Sequence, residues 1–103
     1  MNIKKVLENN GFTVKYYKDG NYWEVSQYTP AGEDWSLTFY PLSDVKTYAE
    51  NYDTEDDFNM WIDAKRGGTI GVPDPATLWQ DQLWKQEILN KVLEELKWKK
   101  KKE

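Results

Sequence analysis

The stretch FTVKYYKDGNYWEVSQYTPAGEDWSLTFY, residues 12–40, carries the pattern that decides the fold. Apolar and polar residues alternate in three segments of it, which is the period of a strand with one buried face. Turn-forming residues separate these segments at 18–21 and 29–34, and the first turn depends on Gly20 reaching positive φ. The sequence therefore predicts a three-stranded antiparallel meander. The residues expected on its apolar face are Phe12, Val14, Tyr16, Trp23, Val25, Trp35, Leu37 and Phe39.

A sheet with one apolar face needs helices to cover it, and the flanking sequence predicts four. They are residues 2–9, a segment capped by Ser43, a segment beginning at Thr54, and a long segment from Pro75 to about Lys99. After Pro75 the long segment contains neither glycine nor proline. At 1.5 Å per residue it spans roughly 37 Å, so its end is expected to project. The predicted fold class is α+β, a three-stranded antiparallel meander covered by helices with a long C-terminal helix. We expect a single domain over residues 1–103, with a frayed lysine-rich tail at 97–103.

The composition excludes most familiar catalytic chemistry. The 103 residues include no cysteine and no histidine, which removes disulfides, thiolate or imidazole metal sites and the usual neutral-pH general base. We therefore expect no enzyme, no catalytic residues and no cofactor. A carboxylate-only hydrolase stays open and would need two acids facing each other across a cleft. No apolar stretch approaches the roughly 20 residues of a membrane span, so a cytoplasmic location is expected.

Charge is concentrated in one part of the chain. Residues 31–63 hold nine acids against the single base Lys46, a net −8 within a chain whose formal charge is −4. Residues 64–103 hold nine bases against six acids, a net +3. One interpretation of the acidic segment is a solvated face. Another is a phosphate decoy, in which carboxylates occupy a basic surface that a partner protein uses for nucleic acid.

Two groups of residues are predicted to bind a partner. The acids of the decoy interpretation are Asp34, Asp44, Glu50, Asp53, Glu55, Asp56, Asp57 and Asp63. The second group is Trp84 and Trp98, which fall on the far side of the apolar stripe of the long helix and are expected to be exposed. Trp23, Trp35 and Trp61 are expected in the core. A homodimer that buries Trp84 and Trp98 would suit an assembly or adaptor protein, which is the alternative function.

A calcium site is the remaining alternative for the acids. The run Asp53-Thr54-Glu55-Asp56-Asp57 has the acids of a calcium loop, but Phe58 and Ala64 stand where that loop needs glycine and glutamate. We therefore expect no metal.

Two regions carry a resemblance to known proteins. Trp23 to Trp35, and Tyr52 to Ala64 together with Gly71-Val72-Pro73, resemble small accessory proteins carried by bacterial phages and conjugative elements, over about residues 22 to 96. Short acidic proteins of such elements are similar to anti-CRISPR and antirestriction proteins. The resemblance implies a DNA-mimicking inhibitor of a CRISPR effector nuclease or another nucleic-acid-binding defence protein of the host, with no direct binding to nucleic acid and no membrane partner.

Overall fold

A computed structural model describes residues 2–66 and 74–102, and the side chains of 2–64 and 74–97. The elements in chain order are α1 (Ile3–Asn9), β1 (Thr13–Tyr17), β2 (Tyr22–Tyr28), β3 (Asp34–Phe39), α2 (Asp44–Asn51), α3 (Thr54–Arg66) and α4 (Pro75–Lys102). The predicted α+β class is confirmed, including the three-stranded sheet and the long C-terminal helix.

The sheet is an antiparallel meander in the order β1-β2-β3. Val14 pairs with Val25, which in turn pairs with Leu37, so one row of apolar side chains crosses all three strands. Tyr16, Trp23 and Phe39 form the next row in the same register. This is the single apolar face that the alternation predicts, although Tyr16 at its edge stays 48% exposed.

Three helices cover that face. Val6 and Leu7 of α1, Val45 and Ala49 of α2, and the buried side of α4 join the apolar residues of the sheet in one cluster. α3 packs mainly on α4. The 28 residues of α4 give a length of about 42 Å at 1.5 Å per residue. The core therefore lies between the sheet and a layer of helices.

Local chemistry explains where the helices begin. Asp74 caps α4, since its Oδ1 accepts from the Thr77 backbone N–H at 3.0 Å, and Pro75 follows at the first helical position. Ser43 holds the position before α2, but its side chain makes no capping hydrogen bond. In the turn between β1 and β2 the expected positive φ at Gly20 is wrong. Asn21 adopts it instead, with φ 54°, because asparagine tolerates this region better than most residues.

Some predictions lie outside the described residues. These are the connector at 67–73 and the Trp98 side chain, and fraying of the tail at 97–103 stays a prediction. Over the part of the chain that the structure describes, no helix combines the length and apolar character needed to cross a bilayer.

Candidate functional site

A cleft of about 640 Å³ opens between β3, α2 and α3. Its aromatic walls are Trp35, Tyr48, Tyr52 and Trp61. Its carboxylates are Glu33, Asp34, Asp53, Asp56 and Asp57. Among the described side chains, Lys85 of α4 is the one base that lines it, so five carboxylates and one ammonium leave a formal charge of −4. We call this feature the acidic cleft.

The start of α3 positions three of the five acids. Asp53 caps the helix, its Oδ1 accepting from the backbone N–H groups of Glu55 at 2.9 Å and Asp56 at 3.2 Å. The first turn then carries Asp56 and Asp57 on the side of α3 that lines the cleft. Acids in a first turn also interact favourably with the helix dipole, so this charge arrangement stabilises the helix that displays it.

Lys85 holds the base of the acidic cleft together. Lys85 is only 2% exposed, and its Nζ lies 2.9 Å from Glu33 Oε2 and 3.2 Å from Asp57 Oδ2. The ammonium also lies 5.4 Å from the centroid of the Trp35 ring, within cation–π range. One side chain of α4 thus links the segment preceding β3 to the first turn of α3.

Burial changes the ionisation of two groups around Lys85. Desolvation raises the pKa of Glu33 above its ordinary value of 4.5, and this outweighs the opposing effect of the Lys85 ammonium. The Tyr52 hydroxyl donates to Asp57 Oδ2 at 2.7 Å, and desolvation together with that carboxylate raises the pKa of Tyr52. Tyr52 therefore stays neutral and acts in the cleft as a hydrogen-bond donor.

Asp81 fixes the loop that carries Glu33. It is 2% exposed, and its two oxygens accept from Thr29 Oγ1 at 2.6 Å and from the Ala31 backbone N–H at 3.2 Å. Thr29 Oγ1 in turn accepts from the Glu33 backbone N–H at 2.9 Å. Two residues of α4 therefore position Glu33. Asp81 fixes the Glu33 backbone by way of Thr29, and Lys85 holds the Glu33 side chain.

The structure divides the predicted acids into two sets. Asp34, Asp53, Asp56 and Asp57 line the acidic cleft. Asp44, Glu50, Glu55 and Asp63 are exposed elsewhere. At 3.6 residues per turn, Glu55 falls on the side of α3 opposite the cleft-lining residues Asp56, Met60 and Trp61.

The expected exposure of Trp84 is wrong. Trp84 is half-buried, and its ring meets the edge of the Trp35 ring with centroids 6.0 Å apart. The helical angle places Trp84 on the far side of the apolar stripe, about 120° from Leu78, but its long side chain reaches back onto the aromatic core. Trp61, expected in the core, is half-buried and forms part of the cleft wall.

Sequence reasoning missed the buried polar residues of α4. Asp81, Gln82 and Lys85 are all at most 2% exposed. At 100° per residue they fall within about 60° of Leu78 around the helix, in line with Leu89, Val92 and Leu96. The sequence does contain a sign of these buried polar residues, because they interrupt the apolar stripe of α4. The interruption marks the turn of α4 that faces the cleft and the β2–β3 loop.

Two carboxylates of the acidic cleft meet at one ammonium. Glu33 Oε2 and Asp57 Oδ2 both contact Lys85 Nζ, so they are at most the sum of the two distances apart, about 6 Å. This is close to the about 5–5.5 Å of a retaining glycosidase. The Lys85 ammonium bridges one oxygen of each carboxylate. Among the side chains at 2–64 and 74–97, no group of three acids is placed to hold a metal ion.

Comparison of the chain with known proteins does not assign it to a family. No family model, no curated protein and no solved structure matches the chain. The resemblance to accessory proteins of phages and conjugative elements stays a prediction.

Proposed function

We propose that this protein is a non-catalytic inhibitor that binds the basic nucleic-acid-binding surface of a bacterial defence enzyme, such as a CRISPR effector nuclease, in the host cytoplasm. One observation carries the proposal. Carboxylates from the start of β3 and the residue before it, from the α2–α3 junction and from α3 converge on the acidic cleft, which has a formal charge of −4. An inhibitor of this kind needs no catalytic group, since occupying the partner's surface is sufficient.

Electrostatics connects the cleft to that class of partner. A protein surface that neutralises nucleic-acid phosphates is rich in lysine and arginine, and its field attracts any rigid array of anions. Three of the five carboxylates are fixed in place, Asp53 by capping α3 and Glu33 and Asp57 by their ion pairs with Lys85. Asp34, Asp53 and Asp56 remain exposed and can meet a basic surface.

The adaptor alternative loses one of the two tryptophans on which it rests. A homodimer was expected to bury an exposed Trp84, but Trp84 already packs on Trp35 within the same chain. Trp98 lies outside the described side chains, and among the described side chains of α4 the exposed large apolar residues are Trp79 and Leu83, each 37% exposed.

Paired charge reversals test the proposal. Asp34→Lys with Asp56→Lys changes the acidic cleft, whereas Glu50→Lys with Glu55→Lys makes the same charge change away from it, and both variants move the formal charge from −4 to 0. The measurements are inhibition of DNA cleavage by purified CRISPR effectors and capture of nucleic-acid-binding enzymes from bacterial lysate. Cleavage is measured at about 0.1 M salt, and capture at about 0.1 M and about 1 M salt, where the screening length is about 10 Å and about 3 Å.

At about 0.1 M salt we expect inhibition and capture by the native protein and by the Glu50/Glu55 variant, and loss of both in the Asp34/Asp56 variant. Capture by the native protein is expected to be lost at about 1 M salt. Equal loss in both variants would show that net charge alone matters. Failure of the native protein to inhibit or capture any nucleic-acid-binding enzyme would overturn the proposed function.

A further inference from the structure

We propose that the acidic cleft binds arginine side chains of a partner protein in preference to lysine side chains. This deepens the proposed function and rests on it for the source of the arginines, since basic nucleic-acid-binding surfaces present them. The occupant is an exposed arginine-bearing segment of a folded or extended partner chain.

The inner part of the cleft already shows how this site holds a cation. Lys85 Nζ is bound by two carboxylates at 2.9 and 3.2 Å and lies over the Trp35 ring. Carboxylates supply the opposite charge, and the aromatic face supplies an apolar surface with negative potential. The combination suits a cation that is removed from water.

The outer part of the cleft repeats this combination with no described base in it. Asp34, Asp53 and Asp56 supply exposed carboxylates, and Trp61 supplies an aromatic wall. Met60 beside it is 70% exposed, so an apolar strip continues to the rim. Charge complementarity therefore favours a positively charged occupant that also has a flat apolar face.

Arginine meets both conditions better than lysine. Its guanidinium is planar, stacks on aromatic rings and binds carboxylates with two parallel hydrogen bonds. It is also less strongly hydrated than an ammonium, so entering an aromatic cleft costs less. The volume of about 640 Å³ lies within the range of ordinary ligand pockets, large enough for a side chain and its flanking backbone.

The first experiment uses the unmodified protein. Binding of fluorescein-labelled hexa-arginine and hexa-lysine peptides is measured by fluorescence anisotropy at about 0.1 M salt, so the two probes differ in the cation but not in charge. A stacking contribution of about 1 kcal/mol predicts a Kd about five-fold lower for hexa-arginine. Equal affinities would overturn the proposal.

A second experiment locates the contact. In ¹H–¹⁵N spectra the Trp61 indole N–H is expected to shift on addition of hexa-arginine, while the Trp23 indole stays unchanged because Trp23 lines a separate groove beside Ile3 and Leu42. Trp61→Leu is expected to remove the preference for arginine over lysine, and Trp23→Leu to retain it, with circular dichroism confirming that both fold. A shift at Trp23 alone, or a preference that survives Trp61→Leu, would contradict the assignment.

The two proposals fail in different ways. Inhibition of a defence enzyme without any arginine preference would leave the proposed function standing and remove the arginine site. An arginine preference at Trp61 without inhibition or capture of any nucleic-acid-binding enzyme would retain the site and remove the function.

Discussion

Replacing Lys85 with methionine is expected to destabilise the protein by about 3 kcal/mol. Removing one partner of a buried ion pair costs about 3–5 kcal/mol, because the charge left behind is uncompensated. The Lys85 side chain is 3% exposed, whereas the Glu33 side chain is 14% and the Asp57 side chain 21% exposed. Water therefore partly solvates the two carboxylates that remain after the substitution, and the low end of the range of about 3–5 kcal/mol applies. For a domain of this size, that loss lowers Tm by at least about 12 °C.

The measurement is urea unfolding followed by tryptophan fluorescence and circular dichroism. Lys91→Met is the matched control, since Lys91 is exposed on the same helix and its loss should change the free energy of unfolding by under about 0.5 kcal/mol. Adding Glu33→Gln to Lys85→Met should recover part of the stability by removing one uncompensated carboxylate. A loss of less than about 1 kcal/mol in Lys85→Met would refute the view that this ion cluster holds α3, α4 and the β3 segment together.

Two further predictions concern pH and backbone strain. Because the pKa of Glu33 is raised above 4.5 in the folded state, that state binds the proton more tightly than the unfolded chain, so Glu33 lowers stability as pH rises above 4.5. Urea unfolding across this range should show that fall in the native protein and a smaller one in Glu33→Gln, and parallel profiles would contradict the sign. Gly11→Ala should cost about 1–2 kcal/mol, since Gly11 has φ +92° and an added Cβ would meet Gln27 Oε1 at 2.7 Å. Gly32→Ala has a similar φ of +91° with open space around it, so an equal or larger cost there would contradict the contribution from Gln27.

The fold was predictable because its local and global signals agree. Alternation over residues 12–40 gave the meander, and the observed register of Val14, Val25 and Leu37 places the expected residues on one face. Asp74-Pro75 marked the start of the long helix correctly. The turn at 18–21 was predicted correctly as a turn, but Asn21 and not Gly20 has positive φ. Glycine and asparagine both adopt that conformation readily, so the sequence alone does not show which of the two adjacent residues takes it.

The site was predictable only as a list of acids. Spacing along the chain gives no information on which acids share a surface, and the fact that Asp34 and Asp56 line one cleft depends on where α3 lies relative to β3. Lys85 was missed because a lysine in a helix is usually exposed, and its burial depends on two carboxylates distant in sequence. Interrupted apolar stripes are the local signal for such a residue, but the signal does not name its partners.

The polar turn of α4 also determines where the helix lies along its own axis. An apolar stripe alone tolerates displacement by one turn, about 5.4 Å, because one leucine can replace another in the same hole. Asp81 and Lys85 do not tolerate it, since the displacement would leave a carboxylate or an ammonium against apolar side chains and free Thr29 and Glu33 of their partners. The leucines set how strongly α4 is held, and the two charged residues set its axial position.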